Sequence, residues 1–186
     1  RPRMAQKFHR LKATAEMLNR AAVLGPGVDV NRTKASTIDT PVGILGEMAF
    51  AQWAFGDWKK NEVGRNKGKA DFGVIEVKAS AYPFSDRLNL LVREDYAAKR
   101  SPEFYVQVFV DLPTPQSPLV PGLDLVISGW ATGPEVDAAP LQDMGAKGGG
   151  PGGYRCRKIQ VRVLHEMDDL AAAFKAKVGT ELSAYR

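Results

Sequence analysis

Two acidic residues and a lysine lie close together near the middle of the chain. Asp71 is followed by Glu76 and Lys78, and from Val74 onward apolar and polar residues alternate strictly. Such alternation is typical of a β-strand, in which every second side chain points to the same face. The pattern therefore predicts a strand over residues 74–80, with Glu76 and Lys78 side by side on its polar face.

Asp71 can join this pair if the chain bends before the strand. It precedes Glu76 by five residues, so the two side chains would point to opposite faces of a straight strand. Gly73 permits a bend or bulge that lets both carboxylates converge. Converging carboxylates repel each other, and a divalent cation such as Mg²⁺ relieves that repulsion. Lys78 beside such an ion could stabilise charge on a scissile phosphate or help to orient and deprotonate an attacking water.

A third carboxylate lies in an apolar segment upstream. Glu47 is the only charged residue between Asp39 and Asp57. Residues 41–55 are helical in composition but apolar on every side, which indicates a buried helix. A lone buried carboxylate is costly unless a cation, a metal or hydrogen bonds compensate, so we expect a partner for Glu47 from elsewhere in the fold. The purely structural alternative is a Glu47–Lys78 salt bridge with no chemistry.

Periodicity and turn residues predict the elements around these side chains. Amphipathic patterns predict helices, and runs of β-branched and aromatic residues predict strands. We find neither an internal repeat nor a second-domain boundary. The sequence therefore predicts an α/β fold with helices at 4–24, 41–55, 93–99 and 168–177, strands at 74–80, 88–92, 104–110, 123–130 and 154–164, and a glycine-rich loop at 145–153.

Composition restricts the class of protein. The chain has 186 residues, of which 44% are apolar and 25% charged, as in ordinary soluble domains. Cys156 is the single cysteine, so no intramolecular disulfide can form and a reducing, cytoplasmic setting is expected. No apolar stretch reaches the roughly 18 residues of a membrane span. His9, His165 and Cys156 show neither zinc-ligand spacing nor a catalytic triad pattern, and we expect structural roles for them.

The charge is distributed unevenly along the chain. Residues 1–100 contain 18 Lys and Arg against 11 Asp and Glu, whereas residues 101–186 contain 8 against 10. Clustered positive charge favours contact with the phosphate backbone of a nucleic acid, and the alternative is a solvated basic surface. The residues expected to make such contacts are the 1–34 segment together with Lys59, Lys60, Arg65, Lys67 and Lys69.

These motifs together resemble the PD-(D/E)XK nuclease superfamily. The resemblance covers about residues 40–112 and includes Glu47 on the buried helix, Asp71, the Glu76-Val77-Lys78 triplet, and Gln107 on a later strand. It implies a restriction endonuclease-like core, with a mixed central β-sheet flanked by helices. The expected organisation of the single domain, 1–186, is a basic N-terminal helix and loop (1–40), a catalytic core (41–112), and a C-terminal extension of the sheet with a closing helix (113–186).

The resemblance also implies roles for the matching residues. Asp71 and Glu76 would hold Mg²⁺ with the main-chain carbonyl of Val77, and Mn²⁺ is expected to substitute. Lys78 would be the catalytic lysine, Glu47 would bind the metal or orient its water, and Gln107 would be a polar residue directed toward the site. Ala70 stands where the motif has proline, and the spacing from Asp71 to Glu76 is short. Asp57 is therefore the alternative for the first acid.

The expected function is a Mg²⁺-dependent nuclease that hydrolyses DNA phosphodiester bonds, an endonuclease of the phage, restriction or repair type. A homodimer would suit the cleavage of two strands. The alternative is a non-catalytic nucleic-acid-binding module on the same fold, and a third possibility is a structural protein in which the charged residues only fix the packing. The sequence leaves open whether the target is duplex, single-stranded or branched DNA, or RNA.

Overall fold

The structure is a computed structural model, and it describes residues 6–24, 39–61, 71–145 and 153–185. Arg65, Lys67, Lys69 and most of the predicted glycine-rich loop lie outside the described residues. The elements, in chain order, are β1 (His9–Lys12), α1 (Ala15–Leu24), α2 (Asp39–Phe55), a 3₁₀ turn (Trp58–Lys60), β2 (Ile75–Tyr82), β3 (Asn89–Arg93), α3 (Glu94–Arg100), β4 (Phe104–Asp111), β5 (Asp124–Thr132), α4 (Gly133–Asp137), β6 (Leu141–Asp143), β7 (Arg155–Gln160) and α5 (Leu170–Val178).

Four strands form a mixed sheet in the order β1-β5-β4-β2, called here the main sheet. β2 and β4 are parallel, and the chain between them includes β3 and α3. β5 is antiparallel to β4, and β1 is antiparallel to β5. Helices flank this sheet, so the predicted α/β class with a mixed sheet is confirmed. Among the described strands, β2 lies at one edge of the main sheet.

The two faces of the main sheet pack against different layers. α2 covers one face, where apolar residues of the helix meet Ile75 and Val77 of β2 and Val106 and Val108 of β4. Side chains alternate along a strand, so Glu76 and Lys78 point to the opposite face. That second face carries apolar residues of its own, and these pack with β3, α3 and α4.

A second sheet covers this other face. β3, β7 and β6 form an antiparallel three-stranded sheet in the order β3-β7-β6. The prediction that the C-terminal part extends the main sheet is therefore correct for β5 and wrong for β6 and β7. The physical reason is that Phe109 and Val126 lie on the second face and require apolar cover, which Leu90, Val92 and Val161 supply.

The N-terminal segment differs from its prediction. A helix was expected over 4–24, but His9–Lys12 is a strand and the helix begins at Ala15. The segment alternates between half-buried and exposed residues, which fits a strand, and Arg10 and Lys12 lie 3.8 and 2.7 Å from the carboxylate of Asp124 on β5. Pairing with β5 thus outweighs the local helical pattern.

The remaining predicted elements are present with shifts of a few residues. Residues 161–163 and 167–169 form 3₁₀ turns instead of continuing a strand or a helix. α4 and β6 were not predicted. α4 begins with a capping box, in which Thr132 and Glu135 each accept a backbone hydrogen bond from the other residue. Within the part of the chain that is described, no helix combines the length and apolarity required to span a bilayer.

Gly46 lies at a close approach between α2 and β2. A Cβ atom at this position would lie 2.5 Å from the Cβ of Ala79, whereas a Cβ at Gly43, one turn earlier, would meet nothing within 4 Å. We predict that Gly46→Ala lowers the free energy of unfolding by about 1–3 kcal/mol because it overpacks this contact. Gly43→Ala should raise it by roughly 0.5–1 kcal/mol because it removes a helical glycine. Urea denaturation of both variants is the measurement, and equal stability of the two would contradict the packing of α2 on β2.

Candidate active site

A tight turn before β2 places Asp71 beside the outer edge of that strand. Phe72 and Ile75 exchange two backbone hydrogen bonds of 2.8 and 3.1 Å across the turn. Gly73 within it has a φ of +65°, a conformation that glycine adopts readily. Asp71 Oδ2 then accepts a hydrogen bond of 2.9 Å from the backbone N–H of Val77. The bend that Gly73 was expected to permit is therefore present.

The C-terminal segment covers this turn. A Cβ atom at Gly73 would collide with the hydroxyl group of Tyr185. The Tyr185 ring in turn packs edge-on against Phe174 of α5, with 4.8 Å between the ring centroids. Gly73 is thus required both for its backbone conformation and for the close approach of Tyr185.

Glu76 is a buried carboxylate with one satisfied oxygen. The residue is 3% exposed. Its Oε1 accepts a hydrogen bond of 2.9 Å from Nη1 of Arg100, the last residue of α3. Its Oε2 is buried and, while the carboxylate is ionised, has no hydrogen-bond partner within the described ranges of the chain. When protonated, the Glu76 carboxyl group can hydrogen-bond to Asp71. A buried carboxylate oxygen of this kind is costly unless a proton or a cation occupies it.

Three charged side chains surround the Glu76 carboxyl group. Burial raises its pKa most, and the negative charge of Asp71 raises it further, while Lys78 and Arg100 act in the opposite direction. The result is a pKa of about 7 instead of the ordinary 4.5. The structure therefore brings Asp71, Glu76 and Lys78 together, as the sequence predicted, and adds Arg100 to them.

Gln107 lies on β4 directly opposite Lys78 in the parallel pairing of β2 and β4. It is 1% exposed and shares the face of the sheet that carries Lys78. Its Nε2 donates a hydrogen bond of 2.9 Å to the carbonyl of Val108. The backbone carbonyl of Gln107 accepts a hydrogen bond of 2.8 Å from the Ser128 hydroxyl. Gln107 is thus a fixed neighbour of Lys78 at the centre of the sheet.

Glu47 does not join the Asp71–Glu76 pair. It lies half-buried on α2, and α2 packs on the face of β2 formed by Ile75, Val77 and Ala79. Among the residues that the structure describes, no three or more His, Cys, Asp or Glu side chains form a group that could hold a metal ion. The structure thus supplies two converging carboxylates, and the role of Glu47 stays a prediction.

The alternative first acid, Asp57, has a different position and use. It caps the 3₁₀ turn at residues 58–60, where its side chain accepts a hydrogen bond of 2.9 Å from the backbone N–H of Lys59. Asp71, in contrast, lies next to Glu76 and binds the backbone of Val77. The geometry thus favours Asp71 over Asp57 as the first acid.

The donor set fits a single hard divalent cation. A strand residue directs its N–H and C=O to the same side, and the N–H of Val77 points to Asp71, so the carbonyl of Val77 lies on that edge as well. The unsatisfied Oε2 of Glu76 and the Asp71 carboxylate complete a set of oxygen donors. Mg²⁺ is commonly bound by one or two carboxylates together with waters and substrate phosphates. The residues present therefore fit the ion that the sequence predicted.

Arg100 is the site residue that the sequence analysis missed. The predicted helix over residues 93–99 stopped one position before it. Its guanidinium carbon lies 5.7 Å from the ring centroid of Tyr96, one turn earlier on α3. One signal was available in the sequence. Two parallel strands need a crossover connection, and a helix in that connection packs over the sheet, so the end of this helix is expected near the sheet. Sequence spacing alone does not show that this arginine meets Glu76.

Besides the 1–34 segment, five single residues were predicted to contact a nucleic-acid backbone, and two of these five are described. Lys59 is exposed, and its Nζ lies 5.6 Å from the ring centroid of Trp58 and 3.6 Å from Oε1 of Glu16. Lys60 is half-buried. Both belong to the 3₁₀ turn that follows α2. The other three lie outside the described residues.

Comparison with known proteins adds no family assignment. No protein-family model, no curated protein and no solved structure matches the chain. The resemblance to the PD-(D/E)XK superfamily therefore rests on the sequence motifs.

The raised pKa of Glu76 predicts a pH-dependent loss of stability. Between about pH 4.5 and 7 the folded protein retains a proton that the unfolded chain releases, so the free energy of unfolding falls as the pH rises through this window. Glu76→Gln removes this effect. We expect the stability of the wild type relative to Glu76→Gln to fall by about 1–3 kcal/mol between pH 4.5 and 7.5. Denaturant unfolding at these two pH values is the measurement.

The control residue for this prediction is Asp168, whose pKa is shifted in the opposite direction. Hydrogen bonds from Lys7 and His9 lower the pKa of Asp168, so its stabilising contribution is lost as the pH falls. Asp168→Asn should therefore weaken the protein at pH 7.5 more than at acidic pH. Parallel pH profiles of the wild type and Glu76→Gln would show that Glu76 titrates normally.

Proposed function

We propose that the protein is a nuclease that uses a divalent metal ion to hydrolyse phosphodiester bonds in DNA. The observation that carries the proposal is the meeting of Asp71 and Glu76 at the edge of β2, with one buried Glu76 oxygen unsatisfied and Lys78 alongside. This arrangement can bind a cation and a phosphate at one point. The sequence resemblance to the PD-(D/E)XK superfamily supports the same class of reaction.

The proposed roles follow from these positions. Asp71, Glu76 and the carbonyl of Val77 would hold Mg²⁺, and Mn²⁺ would substitute for it. When bound, the ion polarises a phosphoryl oxygen and lowers the pKa of a water. The Lys78 ammonium group would stabilise the negative charge that develops on the phosphate. Gln107, fixed beside Lys78, would keep the lysine side chain directed toward the site.

Glu47 has a separate place in this proposal. The resemblance implies that it binds the metal or orients its water, but the described structure does not group it with Asp71 and Glu76. Glu47 would have to approach the edge of β2 from the side of α2. Two carboxylates are sufficient for Mg²⁺ when the substrate phosphate and waters complete its coordination. The proposal therefore does not depend on Glu47.

DNA is the proposed substrate because the first half of the chain is basic. Phosphate contacts by lysine and arginine supply affinity without reading the sequence. Lys59 pairs with Glu16, but both side chains are more than 60% exposed, at 64% and 69%, so this ion pair is weak and Lys59 can exchange it for a phosphate. Lys60 follows it on the same turn. The other proposed contacts are Arg65, Lys67 and Lys69.

A second candidate is a non-catalytic nucleic-acid-binding module. The observation in its favour is the ion pair between Glu76 and Arg100, in which a guanidinium group neutralises one of the two acids without any metal. Such a module would bind DNA equally well with and without Mg²⁺. A nuclease would show metal-dependent cleavage that requires both acids, so activity separates the two candidates.

We predict that purified protein cleaves DNA in the presence of Mg²⁺ or Mn²⁺, and that Lys78→Ala, Glu76→Gln and Asp71→Asn each lower the rate at least about 100-fold. The reason is that each change removes a metal ligand or the positive charge at the phosphate. The measurement is cleavage of plasmid and of labelled duplex and single-stranded oligonucleotides. Lys99→Ala, at an exposed position on α3, is the matched control and should cleave normally. Equal cleavage by Lys78→Ala would disprove the assigned role of this lysine.

DNA affinity should depend on salt and on the lysines of the 3₁₀ turn. Lys59→Ala and Lys60→Ala should each weaken binding for all sequences to a similar extent. Each should also reduce the slope of log affinity against log salt by about 1 if the lysine neutralises one phosphate. Fluorescence anisotropy in EDTA, which prevents cleavage, is the measurement. Lys175→Ala, at an exposed position on α5, is the control, and an unchanged slope in both turn variants would exclude this turn from the interface.

A further inference from the structure

We infer that Arg100 takes the place of a second cation, so that the site accepts one divalent ion, at Oε2 of Glu76. This inference rests on the proposed function, because it concerns the metal that the proposed nuclease would use. It adds a positioning residue and a stoichiometry, neither of which the sequence motifs contain. Three features of the site support it: the geometry of the ion pair, the charge of the site and the number of acids.

The first feature is that Arg100 occupies one side of the Glu76 carboxylate. Nη1 of Arg100 lies 2.9 Å from Oε1, and the two side chains are only 20% and 5% exposed. In two-metal sites, ions roughly 3.5–4 Å apart act as a pair on the reacting phosphate. A carboxylate that bridges such a pair with one ion on each oxygen needs both of its oxygens. Glu76 offers only Oε2, which is the buried oxygen without a partner in the described structure.

Arg100 is held in this position by α3. It is the final residue of the helix, and the next residue, Ser101, ends it with a φ of +41° and an N–H that donates to the carbonyl of Ala97 at 3.0 Å. The Tyr96 ring lies 5.7 Å from the guanidinium carbon on the preceding turn. A side chain with fixed backbone, aromatic contact and buried ion pair does not leave easily for solvent.

The second feature is the charge balance. Asp71 and Glu76 carry two negative charges when both are ionised, and Lys78 and Arg100 near Glu76 carry two positive charges. One divalent ion then gives a positive excess that the scissile phosphate partly offsets. A second ion would double that excess in a half-buried site, which is strongly unfavourable.

The third feature is the number of acids. Two-metal sites usually need several carboxylates, but nowhere in the described ranges does a third Asp, Glu, His or Cys join Asp71 and Glu76. The guanidinium group of Arg100 instead satisfies Oε1 and neutralises Glu76 in part. Within the described residues, the site therefore offers ligands for one ion together with one arginine.

The test is a titration of the 186-residue chain with Mn²⁺ at pH 8, followed by calorimetry and by the electron paramagnetic resonance signal of free Mn²⁺. Wild-type protein should bind one ion per chain, and Asp71→Asn should bind at least about tenfold more weakly. Arg100→Gln should take up two ions at saturation because Oε1 becomes available. Arg100→Lys, which keeps the charge, and Lys99→Gln, the adjacent exposed control, should each bind one ion.

The outcomes separate the inference from the proposed function. Two ions in the wild type, or a single ion in folded Arg100→Gln, would overturn the inference and leave the nuclease proposal intact. The absence of any Asp71-dependent ion in the wild type would overturn both. Should Arg100→Gln fail to fold, as judged by near-ultraviolet circular dichroism, the wild-type stoichiometry decides: one Asp71-dependent ion supports the inference and two overturn it.

Discussion

The arrangement of the site depends on a carboxylate buried at the edge of the main sheet. Glu76 is 3% exposed, and its ionised form needs compensation that the apolar surroundings cannot provide. Arg100 compensates the negative charge at Oε1 through its ion pair. The negative charge of Asp71 instead disfavours the ionised form of Glu76. The fold therefore keeps an oxygen of high affinity for protons or cations at a defined place.

The scaffold fixes this carboxylate from two sides. On one face, the absence of a side chain at Gly46 lets α2 approach Ala79 closely and immobilises β2. On the other face, the second sheet and α3 provide apolar cover, so the position of Arg100 is set by the same packing that excludes water. The turn at Gly73 then closes the outer edge. A rigid strand held in this way suits a site whose geometry must be maintained within fractions of an ångström.

Local pattern was sufficient to predict the elements that carry the acids. The alternation around Glu76 and Lys78 predicted β2, the continuous apolar run predicted α2, and Gly73 predicted the bend that brings Asp71 to Glu76. Long-range pairing could not be predicted in the same way. β1 has a helical pattern but pairs with β5, and β7 pairs with β3, because exposed sheet edges and faces elsewhere in the fold determine these contacts. Arg100 was missed for this reason as well.

Glu47 belongs to the sequence motif but lies on α2, which packs on the Ile75 and Val77 face of β2. In the sequence, the glutamate of the buried helix and the acid–acid–lysine pattern that follows it form a single motif. In the structure, α2 and the Glu76 side chain lie on opposite faces of β2. A carboxylate on the α2 side would have to pass around the strand edge to share an ion with Asp71 and Glu76. Arg100 already lies on the Glu76 side and contributes the opposite charge. A site with two acids and an arginine should therefore bind its ion less tightly than a three-acid site, and depend more on the substrate phosphate to complete the coordination.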